Sequence, residues 1–215
     1  MSRIIIVDDH PLFRAALRQT VSGSGTAVRV EEAGDLAALG AALARDRDCD
    51  LVLLDLNMPG GHGFSGLLLL RAQYPEVPVM VISAVEDQAI MHRAFELGAS
   101  GYLPKSVSPA EIRNAIDTVL KGEVFTPAGF DRGGRDEQSE LIRRLATLTP
   151  QQIRVLMMLS DGLMNKQIAY ELSISEATVK AHVSSILQKL DVDSRTQAVI
   201  AASRIEQGQF EALLS

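Results

Sequence analysis

Cysteine is almost absent from this sequence. A single one, Cys49, leaves no partner for an internal disulfide and no cysteine spacing for a metal, so it is expected to be a small core residue entering a strand. Long apolar runs are missing too. Charges interrupt every stretch before it approaches the roughly 18 residues that span a bilayer. The opening, Met1-Ser2-Arg3-Ile4-Ile5-Ile6-Val7-Asp8-Asp9, puts two acids where a signal peptide would continue its apolar segment. A cytoplasmic protein with no membrane partner is expected. A basic excess is also lacking. Residues 1–139 carry 13 Lys and Arg against 19 Asp and Glu, and residues 140–215 carry 8 of each. The front is therefore acidic, as in a signalling or metal-binding unit, and the back lacks the positive charge usual in nucleic-acid binders. Composition alone does not point to DNA.

What is present is pattern. A length of 215 residues and a hydrophobic fraction of 47% suit two small globular domains. Aliphatic or alternating runs at Arg3–Val7, Val28–Ala33, Leu51–Leu56, Val77–Ile82 and Gly101–Leu103 read as strands. Helical stretches lie between and after them, at Leu12–Val21, Leu36–Arg45, Phe64–Tyr74, Gln88–Leu97 and Pro109–Lys121. Five strand–helix units in succession predict an α/β doubly wound, five-stranded parallel sheet. Ligands of such sheets sit beyond the carboxyl ends of the strands. The glycine-rich, mixed-charge stretch 128–140 reads as a linker, and a purely helical pattern follows it. In that pattern Thr149-Pro150-Gln151-Gln152 and Ser194-Arg195-Thr196-Gln197 are capping boxes. Asn165 and Ser175 are candidate caps of two further helices, giving a small all-α four-helix domain.

Three carboxylates fall at strand ends, Asp8 and Asp9 after the first and Asp55 after the third. Such a cluster repels itself unless a cation or a shared proton neutralises it, and hard oxygen ligands with open positions suit Mg²⁺. Ser83 follows the fourth strand and Lys105 the fifth, where a point charge can hold an anion. The set reads as a phosphoryl-transfer site, with Asp55 as nucleophile and Lys105 and Ser83 holding the product phosphoryl group. A hydrolase using an aspartyl-phosphate intermediate would need a general acid two residues beyond the nucleophile, and that position is Asn57.

Asp8-Asp9-His10-Pro11-Leu12-Phe13-Arg14, Asp55-Leu56-Asn57-Met58-Pro59-Gly60 with Gly63, Ser83-Ala84 and Gly98-Ala99-Ser100-Gly101-Tyr102-Leu103-Pro104-Lys105 resemble the receiver domain of NarL/FixJ-family two-component response regulators. The resemblance implies a flavodoxin-like receiver over residues 1–122, phosphorylated on Asp55 by a sensor histidine kinase. It also implies Mg²⁺ ligation by Asp9, Asp55 and the carbonyl of Asn57, with Asp8 assisting. Ser83 and Tyr102 match the positions that reorient on activation. Gly61-His62 departs from the family, which often has a bulkier apolar residue and an acid there.

In the helical half, the helix from Ser175 turns Val179, Val183, Ile186, Leu187 and Leu190 inward and leaves Lys180, Ala181, Ser184 and Gln188 outside. A short-side-chain polar face can enter a major groove, with Thr178 and Lys166 near phosphates. By periodicity and charge alone, a protein–protein helical domain fits equally well. Asn165-Lys166-Gln167-Ile168-Ala169, Thr178-Val179-Lys180-Ala181-His182-Val183 and Lys189-Leu190 resemble a LuxR-type helix-turn-helix over residues 144–209, with residues 123–143 as linker. That resemblance implies promoter DNA bound by a homodimer, with Lys189 among the contacts. The last helix, whose small residues are Ala198, Ala201 and Ala202, supplies the expected dimer face. A regulator that binds DNA without phosphorylation, and an adaptor, remain as alternatives at this point. The reading is a phosphorylation-controlled transcription regulator, not an enzyme.

Overall fold

A computed structural model describes residues 2–23, 28–58, 63–131 and 139–203. The Pro59-Gly60 turn, the Gly61-His62 departure, linker residues 132–138 and everything beyond residue 203 lie outside the described residues.

The first half alternates strands β1 (Ser2–Val7), β2 (Val28–Ala33), β3 (Leu51–Asp55), β4 (Val79–Ser83) and β5 (Gly101–Pro104) with helices α1 (Pro11–Ser22), α2 (Leu36–Arg45), α3 (Ser65–Gln73), α4 (Gln88–Glu96) and α5 (Pro109–Leu120). All pairings are parallel, in the order β2-β1-β3-β4-β5. Because side chains alternate across a strand, each central strand feeds two cores. Ile4, Ile6, Leu51, Leu53, Met80 and Ile82 meet α1 and α5 on one face. Ile5, Val7, Val52, Leu54, Val79 and Val81 meet α2, α3 and α4 on the other. Burial on both faces is why these strands are continuous apolar runs rather than alternating ones. Cys49 is buried at the mouth of β3 with its thiol pKa pushed up to about 11 by burial, the state of an unreactive core residue.

The amino-terminal edge of the sheet is closed by Arg3, only 4% exposed. Its guanidinium forks onto Glu31, Nε to Oε1 and Nη2 to Oε2, both at 3.1 Å. It also donates to the carbonyls of Ala42 at 3.1 Å and Asp46 at 2.7 Å. One side chain thus ties β1 to β2 and to the end of α2.

The second half comprises α6 (Ser139–Ala146), α7 (Pro150–Ser160), α8 (Asn165–Glu171), α9 (Glu176–Leu190) and a closing helical stretch at 195–203. That is one helix more than expected, because residues 139–143 of the expected linker belong to α6. Thr149 and Gln152 form the predicted capping box, and Ser175 Oγ accepts from Thr178 N at 3.0 Å. Asn165 is a correction. It is the first residue of α8, while Met164 precedes the helix and donates its backbone N–H to Gln167 Oε1 at 2.7 Å. Gln167 thus satisfies the N–H of the residue before the helix, and no asparagine side chain caps the first turn.

The halves are joined through α3. Its run Leu67-Leu68-Leu69-Leu70 has no polar face: Leu67 and Leu70 are buried, and Leu68 and Leu69 are packed against the same cluster. Four consecutive leucines go once round the helix and need cover on all sides, which the receiver core supplies on one side and α7 on the other. The cluster runs on through Ile142, Leu145, Ile153 and Leu156 into the second domain. Residues 123–131 lie against the first domain. Phe125 bridges to Gly101, and Phe130 stacks on His92 and Phe95 of α4 with ring centroids 4.7 and 5.0 Å apart.

Arg3 generates a prediction. Its hydrogen bond, and the nearby charges of Arg3, Arg29 and Arg45, outweigh burial and hold the Glu31 carboxyl below its ordinary range. A depressed carboxylate contributes stability that is present above its unfolded pKa of about 4.3 and is lost as pH falls through the folded value. Glu31→Gln is expected to cost about 2 kcal/mol near neutral pH, in the range for hydrogen bonds to charged groups. In urea titrations across the acid limb the gap to wild type should close; a constant gap would contradict the assignment.

Candidate phosphoryl and DNA sites

The carboxyl ends of β1, β3, β4 and β5 converge. Asp8, one residue beyond β1, is 1% exposed, and Asp55, the last residue of β3, is 2% exposed. The register pairs Val7 with Leu54, which brings the two carboxylates side by side. Lys105 follows β5 directly, and its Nζ donates to Asp8 Oδ2 and Asp55 Oδ2, both at 2.7 Å. Asp55 Oδ1 accepts from the Asn57 backbone N–H at 3.0 Å, and Asp8 Oδ1 from that of His10 at 2.7 Å.

Burial dominates the electrostatics of Asp55 and raises its pKa, with Lys105 and the Asn57 N–H pulling the other way. For Lys105 burial disfavours the ammonium, but its bonds to Asp55 and Asp8 prevail and hold its pKa above the lysine value. Phe13 adds to this. Its ring centroid is 4.7 Å from Nζ, a cation–π contact to which periodicity gave no clue.

Asp9 is the carboxylate left over. Its Oδ1 is a buried oxygen without a hydrogen-bond partner, although His10 Nδ1 lies 2.9 Å away, an ion pair only when the imidazole is protonated. Ligand atoms of Asp8, Asp9, His10 and Asp55 all lie within 4.8 Å of one another. Three carboxylates facing one ammonium, with one buried oxygen unpaired, are short of positive charge. The donor set fits a hard divalent cation. His10 was not among the expected site residues; only its place immediately after the two acids marked it.

Ser83 is fully buried at the end of β4, its Oγ accepting from Val85 N at 3.2 Å. Tyr102, also fully buried, donates its hydroxyl to the Val85 carbonyl at 2.7 Å. Both side chains thus hold the residues after β4, on the way from Ser83 to α4.

In the second domain Thr178, Lys180, Ala181, Ser184 and Gln188 of α9 and Lys166 of α8 are exposed, so this face is open to solvent. Lys180 pairs loosely with Glu176 at 3.4 Å. Two expectations are corrected. Lys189 turns back into its own domain, donating to the Thr147 carbonyl at 2.7 Å and Gln152 Oε1 at 2.9 Å, which ties α9 to the start of α7. Ala198 and Ala201 do not form an outer dimer face. They are 0% and 8% exposed inside the helical core, and Ala202 lines a small space against Phe64 and Leu68 of the receiver. The large apolar residue that stands outward on this stretch is Ile200, 45% exposed.

Lys105→Met tests the electrostatic account. It strands two buried carboxylates and is expected to cost about 3–5 kcal/mol, the range for breaking a buried ion pair. Adding Asp55→Asn should recover part of that loss in metal-free denaturant titrations. If the double variant is no more stable than the single one, carboxylate repulsion is not what Lys105 relieves.

Residues 4–117 match the family described as the response regulator receiver domain, and residues 146–202 that of the bacterial regulatory proteins of the luxR family. A Pseudomonas putida glycerol metabolism activator is 42% identical, the match covering 96% of this chain and 97% of that protein. The nitrate/nitrite response regulator NarL of Escherichia coli K12 is 34% identical over 92% of this chain and 93% of its own. Among solved structures, the complex of the two-component response regulator RcsB with DNA aligns with a TM-score of 0.56 at 26% identity, over 94% of this chain and 98% of that one. The parallel-sheet half and the helical half are thus each matched by one family. The chain belongs to the response regulators that join a receiver domain to a luxR-family DNA-binding domain.

Proposed function

We propose that this regulator is switched by phosphorylation of Asp55, with a sensor histidine kinase as donor and promoter DNA as target. The observation that carries the reading is the meeting of Asp55, Asp8 and Lys105 within 2.7 Å hydrogen bonds at one sheet end. An Asp55 carboxylate oxygen attacks phosphorus, the bond from phosphorus to the kinase histidine breaks, and an acyl phosphate results. Asp8, Asp9, Asp55 and the Asn57 carbonyl would hold a Mg²⁺ ion, which would supply charge neutralisation for the phosphoryl oxygens. Lys105 and the Ser83 hydroxyl hold the new phosphoryl group. Drawing them toward it disturbs the Ser83–Val85–Tyr102 hydrogen bonds, and so biases the segment leading into α4. The reading puts the protein in the cytoplasm, beside the chromosome, and makes it a regulator rather than an enzyme.

Incubation with a small acyl phosphodonor and Mg²⁺, followed by mapping of a hydroxylamine-sensitive adduct, tests this. Wild type should carry one adduct, on Asp55, and Asp55→Asn none. Equal labelling of the variant at another acid would refute the assignment.

Promoter recognition is proposed for the open α9 face, through Lys180, Ala181, Ser184 and Gln188, with Thr178 and Lys166 at the backbone. Charge supports a dimer. Of the cations in this half, Lys189 and Arg144 are spent on internal carbonyls and Arg195 on the Leu163 carbonyl. Few remain to neutralise phosphates, and each phosphate contact is worth only about −0.9 in the salt slope. One copy should therefore bind weakly, and linking two copies on paired half-sites can add roughly 10²–10⁴ in affinity. With Ala198 and Ala201 turned inward, the exposed Ile200 is the apolar side chain available on that helix. Ile200→Glu is expected to weaken binding to paired half-sites about 10²-fold and to leave single half-site binding unchanged, as read in mobility-shift titrations. Equal losses on both probes would place Ile200 in the fold of the domain instead.

A further inference from the structure

Between the two domains lies a cleft of about 560 Å³, walled by α2 and α3 of the receiver and α7 of the DNA-binding domain. Small-molecule sites span about 300–1,000 Å³. The walls are mainly aliphatic side chains of α2 and α3, with the thioethers of Met157 and Met158, which adapt readily to a ligand's shape. Few polar groups reach it. Arg154 donates from Nη2 to Gln73 Oε1 across the domain boundary at 3.3 Å, so its guanidinium faces a neutral acceptor there. Asp161, seven residues on, caps the end of α7 about 10 Å away along the axis, and is engaged by a partner of its own.

Two glycines line this cleft, and they differ. A Cβ on Gly66 would come within 2.9 Å of Leu36 Cδ2, so Gly66 is needed for the close approach of α2 and α3. A Cβ on Gly40 would meet nothing within 4 Å. Glycine is costly in the middle of a helix, and at position 40 neither a positive φ nor a close neighbour calls for it. A larger side chain at position 40 would have free space beside the cleft.

We propose that this cleft binds a small amphipathic carboxylate, its apolar chain against α2, α3 and the methionines and its carboxylate on the fork of Arg154. A charge-assisted bidentate bond replaces the long bond to a neutral amide, and the chain removes exposed apolar wall from water. Such a ligand touches both domains at once. Its binding therefore stabilises the docked arrangement, as an input separate from the phosphoryl site.

Calorimetric titration of the full chain with octanoate tests the proposal, with octanol and octylamine as comparison ligands. Octanoate should bind one to one in the sub-millimolar range, about tenfold tighter than octylamine, and raise the melting temperature. Gly40→Leu fills the cleft from a position with free space. It should fold at least as stably as wild type and bind octanoate about tenfold more weakly or not at all. Arg154→Gln, which leaves the cleft open, should bind octanoate no better than octanol. The proposal is overturned if wild type shows no saturable octanoate binding, or if both variants keep wild-type affinity.

Discussion

Two buried carboxylates share one ammonium, and the receiver is arranged around that fact. Asp8 and Asp55 come from strands that are neighbours only because the sheet order is β2-β1-β3-β4-β5. Lys105 reaches them from 97 and 50 residues away. Neither acid can be removed from water without a counter-charge, and a slip of one residue in any of the three strands would turn the group to the other face. The apolar strands therefore do two things. They hold the sheet together, and they fix the register on which the electrostatics depend. Asp9, with one buried oxygen unpaired, is the point at which a cation would complete the charge balance.

From this cluster a chain of contacts leads outward. Ser83 and Tyr102 both bond to Val85, at the entry to α4. Helix α4 carries His92 and Phe95, on which Phe130 stacks, and Gln88, which is hydrogen-bonded to Gly129 and Asp131. The same helix packs on α6 of the second domain. The interdomain segment is thus held on the helix that follows Val85. A change at Val85 needs to travel only the length of one helix to reach the other domain.

Much of this was legible in the residues. Strands buried on both faces announce themselves as unbroken aliphatic runs, and their last residues name the site. A capping box marked α7 and the Ser175 cap marked α9, because side-chain acceptors and backbone donors within three residues leave little choice of geometry. What sequence could not settle was direction. Small residues at Ala198 and Ala201 permit close approach to a second copy or to the core, and the core won. Lys189 could stand outward or fold back on its flexible stem, and it folds back onto the Thr147 carbonyl and Gln152 Oε1 at the start of α7. The four leucines of α3 were readable in kind, since a helix without a polar face must be covered. Their second partner, α7, was not, because nothing local identifies which surface completes the burial.

That double burial has a consequence for control of the DNA-binding face. A single apolar cluster runs from the receiver sheet through α3 into α7, so the docked domains are held by a hydrophobic contact that any separation would expose to water. Yet Lys180, Ala181, Ser184 and Gln188 remain exposed in that same arrangement. The receiver grips the DNA-binding domain by α6 and α7 and leaves the outer face of α9 uncovered. Docking and the proposed recognition thus use different sides of one small domain. In this arrangement the receiver leaves the side chains proposed to read DNA uncovered. It can act through where its own acidic bulk lies beside a duplex, and through how it sets two copies against each other, both of which depend on the α3–α7 contact.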